Sequence, residues 1–351
     1  MLTFPFRRML VLLAALALLA AACGDGDEEA TATTEVSASE TSEDEASLDD
    51  EAMTDDEAMD DAGADEAMED EIDLSAIEGN FPVTISSAAG TFTLDEPPMQ
   101  IVSLSPTATE LLFAMDAGDQ VVAVDSFSYF PAEAPVTELS GFDPNVEAIL
   151  GFEPDLVVIA SDANDVVASL TAVGVPVLVN PAPANIEAGY AGIAELGVAT
   201  GRIDESAALV SDLRAEIEAA FAAAPADASV RVYHELDDTF FSASSFGFIG
   251  AIYAEMGAEN IADEADTDGF GFPQLTEEYI VEADPQLIVI TDQVSYTADD
   301  VAARDGWGEV SAVVNGTIVT VDADIASRWG PRLPQFIEAV AEAMASVSVD
   351  A

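Results

Sequence analysis

One segment of this chain occurs twice. Asn145–Ile159 reads Asn-Val-Glu-Ala-Ile-Leu-Gly-Phe-Glu-Pro-Asp-Leu-Val-Val-Ile, and 131 residues further on Thr276–Ile290 reads Thr-Glu-Glu-Tyr-Ile-Val-Glu-Ala-Asp-Pro-Gln-Leu-Ile-Val-Ile. Glu147 aligns with Glu278, Ile149 with Ile280, Pro154 with Pro285 and Leu156 with Leu287. Each copy predicts a short amphipathic helix, a proline that ends it, and a β-branched run with no polar face. An apolar run of that kind is a strand covered on both sides, as in a parallel sheet flanked by helices. The repeat therefore predicts two similar α/β lobes, with a cleft between them as the natural place for a ligand.

The rest of the chain fills this plan. Phe81–Ile85 and a turn at Ala89-Gly90 open the first lobe as a hairpin, and Ile101–Leu104, Val121–Val124, Leu156–Ile159 and Val175–Val179 read as strands. Ser105-Pro106 supplies an N-cap and a first-turn proline for a helix through Phe113. From Ile186 to Ala224 the pattern is helical and rich in Ala, Glu and Leu, with a break near Gly201. Lying between the two copies, it reads as a stiff connector. The second lobe starts near Val230 and ends in a helix from Pro334 to Met344.

The first part of the chain is of another kind. Arg7-Arg8, an apolar run from Met9 to Leu19 and small residues at 20–22 form a secretory leader too short to span a bilayer comfortably. The only cysteine, Cys23, follows at once, so no intrachain disulfide can form. Residues 24–75 are dominated by Asp, Glu, Ala, Ser, Thr and Met, and Asp-Asp-Glu-Ala-Met occurs at 49–53 and again at 55–59. Such a segment lacks the apolar surface to offset chain entropy and is expected to be a disordered tether, with a reach of roughly 40 Å for some fifty flexible residues. The formal net charge is −61 and there is no lysine. That excludes a nucleic-acid-binding role, which requires basic surface. The expected division is a leader at 1–22, the tether at 23–77, a first lobe at 78–184, connecting helices at 185–227 and a second lobe at 228–351.

Several segments together carry a family resemblance. They are Ile101-Val102-Ser103-Leu104-Ser105-Pro106-Thr107-Ala108-Thr109-Glu110, Asn145-Val146-Glu147, Pro154–Val158, Gly257–Ile261, Pro273-Gln274-Leu275 and Gly330-Pro331-Arg332. In this order the chain resembles the iron-siderophore and cobalamin class of substrate-binding proteins of ABC importers. The resemblance implies two α/β lobes with mainly parallel sheets, joined by one long rigid helix. It also implies partners, namely a permease dimer and its ATPase subunits, with Glu147 and Glu278 docking on permease arginines. Leu19–Cys23 resembles a bacterial lipobox, with Leu19 one position further from the cysteine than usual. This implies lipid on Cys23 and anchoring at the outer face of the cytoplasmic membrane.

Cleft-facing loops carry the candidate ligand contacts: Phe127, Tyr129, Phe142, Phe241, Phe272, Asp324, Arg328 and Trp329. Aromatic rings in glycine-rich loops are platforms for a flat, partly apolar chelate, and in cobalamin-binding relatives an Asp and an Arg at the spacing of Asp324 and Arg328 contact the ligand. His234 is the only histidine, which argues against a bare zinc or manganese site; it is read as a core or strand-face residue. Few arginines are placed to meet an anionic catecholate, so a hydroxamate-type ferric siderophore or a corrinoid is expected. Haem would need Tyr129 as ligand. No cofactor of the protein's own is expected, since the metal arrives within the chelate. There is no Gly-x-Ser-x-Gly elbow and no phosphate loop, so an enzyme is not expected. A ligand-sensing or surface lipoprotein without a transport partner shares all these features and is the alternative.

Overall fold

The computed structural model of the protein describes residues 81–87, 89–225 and 229–347. The leader, Cys23 and the acidic tether lie outside the described residues. No helix among the described residues is long and apolar enough to cross a membrane.

The chain begins with an antiparallel hairpin, β1 (Val83–Ser87) and β2 (Gly90–Leu94), in which Val83 and Ile85 point inward while Thr84 meets Thr93 on the outer face. The first lobe follows with β3 (Ile101–Leu104), α1 (Pro106–Ala114), β4 (Val121–Asp125), β5 (Val136–Leu139), α2 (Val146–Leu150), β6 (Leu156–Ile159), α3 (Val166–Thr171) and β7 (Val177–Val179). The strands form one parallel sheet in the order β5-β4-β3-β6-β7. Every residue of β3, β6 and β7 is buried, as expected of strands covered on both faces.

Two helices lead out of this lobe. Asn185 caps α4 (Ile186–Thr200) by accepting the Ala188 N–H, and Gly201, with φ +73°, ends it where the sequence places the break. Gly197 has no side chain to hold off Ser206, so α5 (Ile203–Ala222) folds back tightly along α4.

The second lobe contains β8 (Arg231–His234), α6 (Phe248–Glu255), β9 (Glu259–Asn260), α7 (Glu277–Ala283), β10 (Leu287–Thr291), α8 (Ala298–Ala302), α9 (Ser311–Asn315), β11 (Ile318–Val321), α10 (Ala323–Ser327) and α11 (Leu333–Ser346). Its sheet is parallel in the order β11-β10-β8-β9. Because α4 packs on β1 of the first lobe and α5 packs on both α4 and α11, the helix pair links the two lobes. One apolar core runs through Leu111, Leu156, Leu196, Leu213, Leu287 and Phe336, and the outer face of each sheet has a smaller core of its own. At roughly 2 kcal/mol for each buried large aliphatic side chain, a shared core resists wide separation of the lobes.

The repeat is structural. Helix α2 leads through Pro154 into β6, and α7 leads through Pro285 into β10. Asn145 and Thr276 cap these helices alike, each accepting the N–H three residues on. At the equivalent bends Glu153 has φ +49° and Asp284 φ +48°. Ile101 pairs with Leu156 as Val232 pairs with Leu287, the same 131 residues on.

Candidate ligand cleft

The carboxyl ends of both sheets converge. The loop after β11 carries Arg328, whose guanidinium donates to the Phe127 carbonyl, 3.2 Å away in the loop after β4 of the other lobe. Outside the carboxyl ends of parallel strands is where α/β sheets take their ligands.

Two arginines and two carboxylates form the floor. Glu110, on α1 and fully buried, accepts Arg328 through Oε1 at 2.9 Å. Arg332 donates to both of its oxygens, Nη2 to Oε1 at 2.6 Å and Nε to Oε2 at 2.9 Å. Asp324, four residues before Arg328 on α10, takes the other side of that guanidinium at 2.6 Å. Arg328 lies under the Tyr129 ring and Arg332 under the Phe130 ring, at 5.2 and 4.2 Å from their centroids. The cluster has two positive and two negative charges, and each guanidinium is shared between Glu110 and Asp324. Losing one partner of such a buried set is far costlier than the set's net worth. It fixes the lobes to each other and leaves Arg328 only 9 % exposed at its side chain.

Exposed aromatic rings stand on loops at the sheet ends. Phe127 and Phe142 meet edge-to-face at 5.7 Å in the first lobe, beside Tyr129. In the second lobe Phe270 and Phe272 meet at 6.0 Å, with Phe246 against Gly269. Phe142 and Phe270 are 74 % and 78 % exposed, each beside a second exposed ring, and grouped exposed apolar side chains mark ligand or partner sites. The floor cluster brings Phe127, Tyr129, Asp324 and Arg328 together, and the ring contact adds Phe142. Phe272 belongs to the second-lobe group. Phe241 is half-buried and bridged to Gln274.

Trp329 is a correction. Its ring is buried against Gly189, where a Cβ would lie 1.8 Å from the indole, and between Tyr190 and Phe248. Packing between α4 and α6 takes the ring, so it offers no open face to a ligand. Arg328 is held by Glu110 and Asp324 and is not a free cation. Arg332 is the second arginine on Glu110.

Glu110, Phe130 and Phe246 also stand at these loops and in the floor, without a role expected from sequence. Phe246 shows the signal used for Phe272, an aromatic ring among Ser and Gly residues. Glu110 shows none, because its partners are more than two hundred residues away.

His234 is core: its Nδ1 lies 2.7 Å from the Tyr253 hydroxyl, and burial lowers its pKa to about 4. Among the described residues no group of three or more His, Cys, Asp or Glu side chains is placed to hold a metal ion. Burial and the neighbouring Asp324 raise the Tyr129 phenol above its ordinary value, against the pull of Arg328.

Glu147 and Glu278 are exposed and occupy the same place, the first turn of α2 and of α7.

Residues 101–325 match the periplasmic binding protein family. The chain belongs to that family, the class of substrate-binding components of ABC importers. It is 33 % identical over 276 residues to an uncharacterised ABC transporter substrate-binding lipoprotein, YvrC, of Bacillus subtilis, covering 75 % of this chain and 86 % of that one. It is 32 % identical over 282 residues to a cobalamin-binding protein of Halobacterium salinarum, covering 77 % and 76 %. Among solved structures, the periplasmic heme-binding protein RhuT from Roseiflexus sp. RS-1 superposes with a TM-score of 0.64 at 24 % identity, over 72 % of this chain and all of that one. At that identity the match shows the fold.

Proposed function

We propose that this binding component captures a neutral or cationic metal chelate, a cobalamin-like corrinoid, and presents it to a permease dimer. The observation that carries this reading is the compensated floor. Arg328 and Arg332 are matched by Glu110 and Asp324, and Arg304 by Glu235, so the described cleft arginines leave no unmatched positive charge for a catecholate or for haem propionates. The raised Tyr129 phenol opposes the tyrosinate form that haem iron would need. Exposed phenyl rings on both lobes suit the apolar faces of a macrocycle. The relative of H. salinarum, named a cobalamin-binding protein, supports the same cargo.

Lipid on Cys23 and the tether hold the domain at the outer face of the membrane. Glu147 and Glu278 orient docking on permease arginines, since complementary charges set register more than affinity. Separate ATPase subunits supply the energy for transport.

Titration with cyanocobalamin, a ferric hydroxamate, a ferric catecholate and haem, followed by tryptophan fluorescence and thermal shift, tests the cargo. Cyanocobalamin should bind and Phe272→Ala should weaken it. Binding of haem or catecholate alone would sink the charge argument. Glu147→Arg with Glu278→Arg should abolish uptake while ligand affinity is kept; uptake at the wild-type rate would favour a sensing lipoprotein.

A further inference from the structure

In each lobe a buried aspartate lies at the root of the loops that carry the exposed rings. Asp125 ends β4. Its Oδ1 accepts the Phe127 N–H at 3.1 Å and the Ser128 hydroxyl at 2.8 Å, and its Oδ2 faces Gly141, where a Cβ would lie 3.1 Å away; burial raises this carboxyl above its ordinary value. Gly141 directly precedes Phe142, and a Cβ there would lie 2.3 Å from the Leu104 carbonyl, so the loop backbone packs closely between the end of β3 and the Asp125 carboxylate. One side chain thus ties the Phe127 loop to the Phe142 loop.

Asp266 does the same in the second lobe. Its Oδ2 accepts the Ser244 hydroxyl at 2.5 Å and the Gly271 N–H at 2.7 Å, and its Oδ1 accepts the Phe270 N–H at 3.0 Å. Ser244 is two residues before Phe246, and Gly271 lies between Phe270 and Phe272. The Ser244 N–H also donates to the Gly271 carbonyl. The two loops meet backbone to backbone, since a Cβ on Gly271 would sit 3.0 Å from the Gly247 Cα. Asp263 adds a second hold by accepting the Ser245 N–H and hydroxyl at 2.7 and 2.9 Å. Burial alone would raise the Asp266 carboxyl, but Ser244 and the Gly271 and Phe270 N–H groups hold it below the usual carboxylate range.

We infer that Asp266, with Asp125 as its counterpart, is a positioning residue for ligand binding. It touches no ligand. It fixes two ring-bearing loops in the receiving arrangement before the ligand comes, so that binding does not have to order them. Exposed phenyl rings on unsupported glycine-rich loops would instead fold onto the surface and hide from water. The inference rests on the reading of the cleft as the ligand site.

The test compares the full chain with Asp266→Asn, which keeps size and shape but loses acceptor capacity toward Ser244 and Gly271. Without ligand, amide hydrogen exchange at residues 244–247 and 269–272 should rise while that of β8 and β10 stays at the wild-type level. Cyanocobalamin affinity should fall roughly ten- to a hundred-fold, the usual size of a supporting-residue effect. In a Phe246→Ala, Phe270→Ala, Phe272→Ala background the same change should cost nothing more, because the rings through which Asp266 acts are gone. Unchanged exchange, wild-type affinity despite faster exchange, or an equal loss in the ring-free background would each overturn the inference. If the wild-type protein ignores cyanocobalamin, the corrinoid reading falls alone. The affinity arm then uses whichever of the ferric hydroxamate, ferric catecholate or haem binds, and if none binds, the exchange arm decides the clamp.

Discussion

The two lobes share a backbone plan and fill one equivalent place with opposite chemistry. At the end of β3 stands Leu104, buried among apolar residues. The residue 131 positions on, just past β8, is Glu235, which is fully buried and continues the ladder by donating its N–H to the Val289 carbonyl at 2.8 Å. Both of its oxygens meet Arg304, at 2.7 and 2.6 Å, and that guanidinium is enclosed by Trp307, Tyr296 and Phe240, 4.7, 5.3 and 5.4 Å from their ring centroids. The crossover from β6 to β7 contains a single α-helix, α3, whereas that from β10 to β11 contains two, α8 and α9. Leucine is enough where the crossover is short. The longer one is pinned to the sheet end by an ion pair, which fixes a geometry that apolar contact leaves looser.

Breaking the pair should give the largest effect. Arg304→Ala leaves Glu235 charged and buried without a partner, and chemical denaturation should show a loss of about 3–5 kcal/mol. Glu235→Leu with Arg304→Leu makes the second lobe imitate the first and should recover most of it; a double variant as unstable as Arg304→Ala would show that the lobes are not interchangeable here. Leu104→Ala should cost about 3 kcal/mol, from lost burial and the cavity left behind.

Acid should separate the lobes next. His234 stands where the first lobe has Ser103, which cannot titrate in this range. Burial lowers the His234 pKa from 6.5 to about 4, so the unfolded chain takes up the proton first. Its contribution is complete above pH 6.5 and is lost as pH falls toward 4, about 2 kcal/mol between pH 7.5 and 5. Denaturation at the two pH values should show this loss, and His234→Gln should flatten it. At lower pH, Asp266 and Asp284 act in the same sense. Burial would raise both, but hydrogen bonds, joined by Arg231 for Asp284, hold both below the ordinary 3.8.

The smallest test concerns the paired bends. Glu153→Gly relieves a left-handed backbone and should stabilise by up to about 1 kcal/mol. Asp284→Gly relieves the same strain but removes the acceptor for the Ser311 N–H and hydroxyl and for Arg231, and should destabilise. Thermal melting that gave both the same sign would mean that the Asp284 bonds add nothing.

The elements were legible where the signal is local. The Asn145 and Thr276 caps, the Gly201 break and the apolar runs of β6 and β10 can all be read within a few residues. The floor of the cleft could not be read. Arg328 answers to Glu110 and to the Phe127 carbonyl, 218 and 201 residues away, and no spacing rule says which of the many acids arrives there. Trp329 misled for the same reason: next to Arg328 in sequence, it turns the other way because Gly189 opens a slot on α4. Asp125 and Asp266 look like loop acids among many, and only their burial beneath backbone N–H groups distinguishes them.

Each arginine of the folded region reaches a carboxylate, from Arg202 with Glu205 and Arg214 with Glu187 to the pairs beneath the cleft. What solvent meets, with 69 acidic residues against eight basic ones in the whole chain, is close to a surface of one sign. Such a body travels inside an atmosphere of small cations, about 8 Å deep at physiological ionic strength. A positively charged chelate is enriched in that atmosphere before it touches the protein, an anionic one is thinned out, and added salt erases the difference. Part of the selection among cargoes is therefore made in the water outside the cleft.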